Sequence, residues 1–271
     1  MDPQTISTSY GDHEQTVPYT YAIRVCAGMA SSLGARGVSL LFASSDSGVG
    51  DGDTDLATQS CKSNDGRNVT EFLPTFPCSC PYVTAVGGTV NIPETAVSFS
   101  GGGFSDYFAR PAYREAAVSE YLAMLAPGTF KGLYNSTGRA YLDVVAQAEY
   151  FSIIYQGQES PIGGTSCASP AFAAFVSMLN DVRINAGKTP LGFLNPMLYS
   201  TGYTALNDIT QGSNPGCGTP GFNATVGWDP GEFMKANRVM TCLHADHTCS
   251  HWTRHTQLRK IERLGLGLAL N

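Results

Sequence analysis

Apolar positions along this chain fall into short runs of two kinds, some spaced like one face of a helix and some nearly continuous. Thr5-Ile6-Ser7-Thr8-Ser9-Tyr10 reads as a strand entering a turn at Gly11-Asp12. From Tyr19 to Leu33 the spacing of Tyr21, Ile23, Val25, Met29 and Leu33 predicts a helix that stops near Gly34. The next run, Val38 to Ser44, is too apolar to alternate, as expected of a strand covered on both faces. Strand, helix, strand in that order is a βαβ unit, so a parallel sheet is expected. Further strands are predicted at Tyr82–Val86, ended by Gly87-Gly88, and at Tyr141–Ala146 and Phe151–Tyr155. Helices are expected near 111–125, from Ser166 to Ala186, and from Leu194 through Tyr199. Residues 46–81 read as loop, Ser100 to Ser105 as a glycine hinge, and no internal repeat is present. In open α/β sheets chemistry gathers at the carboxyl ends of the strands, where this reading puts Asp46 and Ser166.

Composition sharpens the picture in two places. The 271 residues carry a net charge of −6, which argues against a nucleic-acid surface, and no apolar run is long enough to span a membrane. That charge is unevenly spread. Residues 1–230 hold 10 basic and 19 acidic side chains, whereas 231–271 hold 6 and 3, together with four of the five histidines. A boundary near 230 is therefore expected, with a basic, His-rich tail beyond it that is not a domain of its own. The first residues lack the basic and apolar regions of a signal peptide. Three glycosylation sequons (Asn68, Asn135, Asn223) and eight cysteines nevertheless suit a secreted protein, and a longer precursor is expected. Disulfide connectivity is left open. In the tail, Cys242, His244, His247, Cys249 and His251 have short zinc-like spacings, but one such cluster is weak, and a tail without metal is expected.

The chemistry-bearing string is Gly164-Thr165-Ser166-Cys167-Ala168-Ser169-Pro170. It puts a hydroxyl at a helix start, where free N–H groups and the helix dipole favour negative charge. Pro170 is expected to cost nothing if it lies in the first turn. A lone serine there would be read as a cap. The full string resembles the nucleophile motif shared by subtilisins and sedolisins. A subtilisin needs Asp, His and Ser in that chain order. The only histidine before Ser166 is His13, which lacks the glycine-flanked context of such a base. Sedolisins use glutamate instead, and the likeness to them extends through Ser7–Gly11, Leu33–Ser39, Asp46–Gly50, Pro81–Thr89, Ser100–Phe108, Leu191–Pro196 and Gly227–Pro230. The chain is similar over about residues 1–230 to this family, and within it to the fungal tripeptidyl-peptidases.

The resemblance implies an α/β fold with a subtilisin-like parallel sheet, helices on both faces, incomplete at its N-terminal side. It implies Ser166 as nucleophile and Asp46 as a protonated oxyanion-hole acid, with Ser100, Gly101, Gly102 and Gly103 as a substrate wall. Ser45 stands where the family usually has glycine, so a positive φ there would be strained. One Ca²⁺ is implied, held by the carboxylates of Asp208 and Asp229 and the carbonyls of Ile209, Thr225 and Gly227. The family pattern stops at Gly231, which is expected to weaken that site. The family's Glu and Asp, four apart on one helix, are missing: none of the nine glutamates has Asp at i+4. The expected protein is thus an extracellular, monomeric, acid-acting tripeptidyl-peptidase by family, taking peptide or protein substrates, but with half an active site and essentially inactive alone. A non-catalytic peptide-binding remnant and a gene-model fragment stay open as alternatives.

Overall fold

The computed structural model describes residues 3–231 and the backbone of 235–236. The tail histidines and Cys242 and Cys249 lie outside the described residues. The central sheet takes β1 (Thr5–Thr8), β2 (Ser39–Ala43), β3 (Thr84–Val90) and β6 (Val144–Gln147) as parallel neighbours in that order. Lys235–Ala236 continues it beside β6. Between these strands lie α1 (Tyr19–Ser32), β4 (Gly103–Ala109), α2 (Glu115–Met124) and β5 (Gly138–Tyr141). A hairpin of β7 (Phe151–Tyr155) and β8 (Gln158–Ile162) follows, then α3 (Thr165–Asn185) and α4 (Asn195–Ser200).

Why β2 shows no alternation is plain from what covers it. Leu41, Val86, Val144 and Ala146 pack on one side with Phe172, Val176 and Leu198 of α3 and α4. Leu40, Phe42, Ala85 and Val145 face the other way, against Ala22 and Cys26 of α1. Two helical layers leave no polar face, so every residue of β2 is buried. A third cluster, around Phe222, joins Phe72, Phe104, Tyr121 and Trp228 beyond the sheet.

Three predicted boundaries differ. The strand starting near Tyr82 does not end at Gly87-Gly88 but runs through both to Val90. A Cβ at Gly87 would lie 2.3 Å from Leu142, and one at Gly88 2.5 Å from the Ala148 Cβ, so these glycines serve close packing rather than a turn. The single strand expected at 141–146 is two, split at Leu142–Asp143, where Asp143 turns its carboxylate into the interior. The glycine hinge opens directly into β4, whose first three residues are buried.

Among the described residues two disulfides staple the long loop: Cys26–Cys80 and Cys61–Cys217. The second bridges a sequence separation of 156, worth about 5 kcal/mol in the chain-entropy account. A knot of carboxyl groups fastens the same region. Glu14 is fully buried and accepts the Ser105 hydroxyl at 2.6 Å and the N–H groups of Asp106 and Tyr107 at 2.7 and 3.0 Å. Gln15 Nε2 donates to Glu71 Oε1 at 2.9 Å and Asp106 Oδ2 at 3.3 Å, and Arg67 reaches Glu71 at 3.2 Å.

Burial, with the charges of Glu14 and Glu71 behind it, pushes the Asp106 carboxyl up to about 7. Burial also raises Glu14 and Glu71. Such groups hold their protons more tightly folded than unfolded. The contribution of Asp106 is complete below about pH 4 and is lost as pH climbs through about 7, and those of Glu14 and Glu71 have the same sign. His13 works against this, since burial lowers its pKa and charging it in acid favours unfolding. Comparing the native chain with Asp106→Asn isolates the carboxyl. From about pH 4 to about pH 7 the native urea stability should fall by about 3 kcal/mol more than that of the variant. Identical pH profiles would contradict the assignment.

Candidate active site

Where β1, β2 and α3 meet, at the carboxyl ends of the strands, lies a cavity of about 200 Å³. Ser9, Tyr10 and Gly11 continue β1 into its wall, Ala43, Ser45 and Asp46 continue β2, and Thr165 and Ser166 open α3. Ser166 is exposed on the second residue of that helix.

Asp46 reaches the helix directly. Its Oδ1 accepts the Thr165 N–H at 2.6 Å and faces the Thr165 hydroxyl at 3.0 Å, satisfying one of the orphan donors of the helix start. The same hydroxyl lies 3.1 Å from the Ser45 carbonyl. Gly164, with φ 127°, is buried under the other carboxylate oxygen, and a Cβ there would come within 2.8 Å of Asp46 Oδ2. Only glycine allows the carboxylate this close.

Pro170 departs from expectation. It is the sixth residue of α3, beyond the first turn, so its missing N–H leaves the Ser166 carbonyl without its i+4 donor. Ser9 supplies one, its hydroxyl donating to that carbonyl at 3.2 Å. One turn on, the Ser7 and Ser169 hydroxyls meet at 2.9 Å. The helix that carries Ser166 is thereby tied to β1 and the residue after it.

Ser100–Gly103 lie elsewhere. All four are buried; Ser100 Oγ accepts the Gly88 N–H at 3.0 Å, and the Gly101 N–H donates to Ser45 O at 3.0 Å. A Cβ at Gly101 would stand 2.1 Å from Ser44 O, and one at Gly102 1.9 Å from Pro230 O. The segment braces the Ser45–Asp46 corner from behind and lines none of this cavity. Ser9–Gly11 and Thr75, which do line it, were not predicted as site residues. Their signal was available for the first three, which directly follow an edge strand and run into a glycine turn.

At the far loop, Asp208 Oδ2 accepts the Gly227 N–H at 3.0 Å, while buried Asp229 accepts those of Thr225 at 2.9 Å and Gly231 at 3.0 Å. Both carboxylates thus bracket the turn that carries two of the expected carbonyls. The buried Thr225 hydroxyl has no hydrogen-bond partner among the described residues. A donor set made only of carboxylate, carbonyl and hydroxyl oxygens fits calcium in type. Of the sequons, Asn68 and Asn223 are exposed, whereas Asn135 is half-buried and its Nδ2 donates to Ser105 O at 3.1 Å.

No family model matches the chain. The probable tripeptidyl-peptidase SED4 of Arthroderma benhamiae is 47% identical over 244 residues, 84% of this chain and 39% of that protein. Tripeptidyl-peptidase sed4 of Aspergillus fumigatus is 44% identical over 271 aligned residues, 89% of this chain and 44% of its own length. Over its aligned residues, the chain belongs to the sedolisin family. It spans only about two fifths of the length of these relatives. Pseudomonas sedolisin, solved with two molecules of pseudo-iodotyrostatin, superposes with a TM-score of 0.61 at 23% identity, covering 86% of this chain and 62% of that one, and shows the shared fold.

The sedolisin pattern usually has glycine at Ser45, and here Ser45 does take φ 99°. A side chain in that region costs about 1–2 kcal/mol. Ser45→Gly should therefore raise the urea unfolding free energy by about 1 kcal/mol. A loss of stability would show that the serine contributes more than its backbone strain removes.

Proposed function

We propose that this chain carries the nucleophile-bearing part of a secreted serine peptidase that releases tripeptides from free N-termini in acid. The observation that supports it most is the placement of Ser166 at the exposed start of α3, one residue from the Thr165 that holds Asp46. In this reading Ser166 Oγ attacks the scissile carbonyl. Asp46 Oδ1 is occupied as an acceptor, so a proton on Oδ2 would donate to the developing oxyanion. The Ser166 proton needs a base, and a Glu paired with Asp at i+4 occurs nowhere in these 271 residues. Loss of the base in a comparable serine peptidase costs on the order of 10⁶ in kcat.

Asp208 and Asp229, with the carbonyls of Ile209, Thr225 and Gly227, would hold Ca²⁺ and pin the loop that follows the catalytic layers. The two disulfides and the exposed sequons at Asn68 and Asn223 support an extracellular setting. No described helix is long and apolar enough to cross a membrane. The missing Glu–Asp pair favours a second reading, peptide binding without turnover.

The chain alone should release no tripeptide at about pH 3–5. Joined downstream of the Glu-x-x-x-Asp segment of a fungal tripeptidyl-peptidase, it should release tripeptides, and Ser166→Ala should abolish that release. Ser166-dependent turnover by the chain alone would overturn the incomplete site. A folded but inert joined chain would overturn the peptidase reading.

A further inference from the structure

At the opposite end of the sheet, where β3 and β6 begin, two guanidinium groups are buried with a single carboxylate. Arg114, at the end of the turn before α2, and Arg139, on β5, are both 0% exposed, as is Asp143. Asp143 has no acceptor capacity left. Its Oδ1 takes Arg114 Nη2 and the Tyr199 hydroxyl at 3.0 Å; its Oδ2 takes Arg139 Nη2 and the Ala85 N–H, both at 2.7 Å. Four donors fill the four lone-pair sites of a carboxylate. Nε and Nη1 of Arg114 and Nε and Nη1 of Arg139 are buried without a hydrogen-bond partner.

The charge does not close either. Two cations face one anion, and an uncompensated buried charge is costly. The neighbouring titratable groups do not supply the second negative charge. Tyr113 is pulled below the usual phenol range by Arg114 and Arg139 against the opposing effect of its burial. Yet its hydroxyl donates to Pro81 O at 2.8 Å, which a phenolate could not do. Burial pushes the Cys78 thiol up to about 12, and its sulfur faces Phe42 O at 3.7 Å. Tyr199 already donates its proton to Asp143. Aromatic rings cover guanidinium faces, Tyr199 at 4.9 Å from Arg114 and Tyr141 at 5.8 Å from Arg139, but leave the in-plane N–H groups to be met. Burial lowers Arg139 to about 10, with Arg114 adding to the effect, so Arg139 keeps its charge in acid.

We propose that a small monovalent anion of the halide class is held by Arg114 and Arg139 as the counter-ion that Asp143 leaves missing. Full burial of Arg114, Arg139 and Asp143 is the reason for choosing a small ion, which would be taken up as the chain folds. This site lies at the amino ends of the strands and is independent of the cavity beside Ser166, so it stands or falls apart from any peptidase activity.

The test is thermal unfolding of the full chain in chloride, bromide or gluconate at matched ionic strength, together with diffraction at the bromine edge from crystals grown in bromide. Raising chloride from low millimolar to a few hundred millimolar should lift the midpoint by about 5 °C, with no such rise in gluconate. Arg139→Met, which leaves one cation against one carboxylate, should lose that response. A bromine peak in contact with both guanidinium groups supports the proposal even if the variant does not fold. Absence of that peak overturns it, as does a midpoint that tracks ionic strength alone.

Discussion

The contact on which the site depends is the one between Asp46 and the first residue of α3. It joins the loop after β2 to the helix that carries Ser166, and it uses one carboxylate oxygen for both the N–H and the hydroxyl of Thr165. Several otherwise unrelated features follow from it. Gly164 must lack a side chain because Oδ2 sits against it. Ser45 is driven to positive φ because the chain has to turn sharply between a buried strand and that carboxylate. Gly101 must be bare because the Ser44 and Ser45 backbone lies on top of it.

The surrounding frame is built to hold that corner. Gln59 Nε2 donates to the carbonyls of Ser47 and Asp53, and its Oε1 accepts the Cys217 N–H, so the acid loop is tied at both ends of the Cys61–Cys217 staple. On the other side, hydroxyl contacts from Ser7 and Ser9 lock α3 to β1, one of them using the carbonyl that Pro170 sets free. Local irregularities in strand and helix are therefore the means by which two distant segments are brought together.

Much of this could be read in the amino-acid order. The continuous run of β2, the helix after it and the long helix opening at Thr165–Ser166 were predictable because burial on both faces and capping leave strong local signatures. Glycine was harder. Gly87-Gly88 reads locally as a turn and Ser100–Gly103 as a hinge, but both pack against backbone and side chains far away in sequence, which no local pattern displays. Asp143 breaks the strand expected at 141–146 because two arginines from other elements claim its carboxylate. Disulfide pairing likewise depended on the three-dimensional path of the loop.

The central claim is that Ser166 and Asp46 form one half of an acyl-transfer site, already placed without the base. A peptide aldehyde labelled with carbon-13 at the carbonyl tests it most directly, because serine addition to an aldehyde needs no leaving group. Ser166 Oγ bonds to the carbonyl carbon, and the hydroxyl proton ends on the former carbonyl oxygen beside Asp46. At about pH 4, the account predicts a hemiacetal carbon signal in the native chain that disappears in Ser166→Ala. Finding only the hydrate of the aldehyde in both proteins would contradict it.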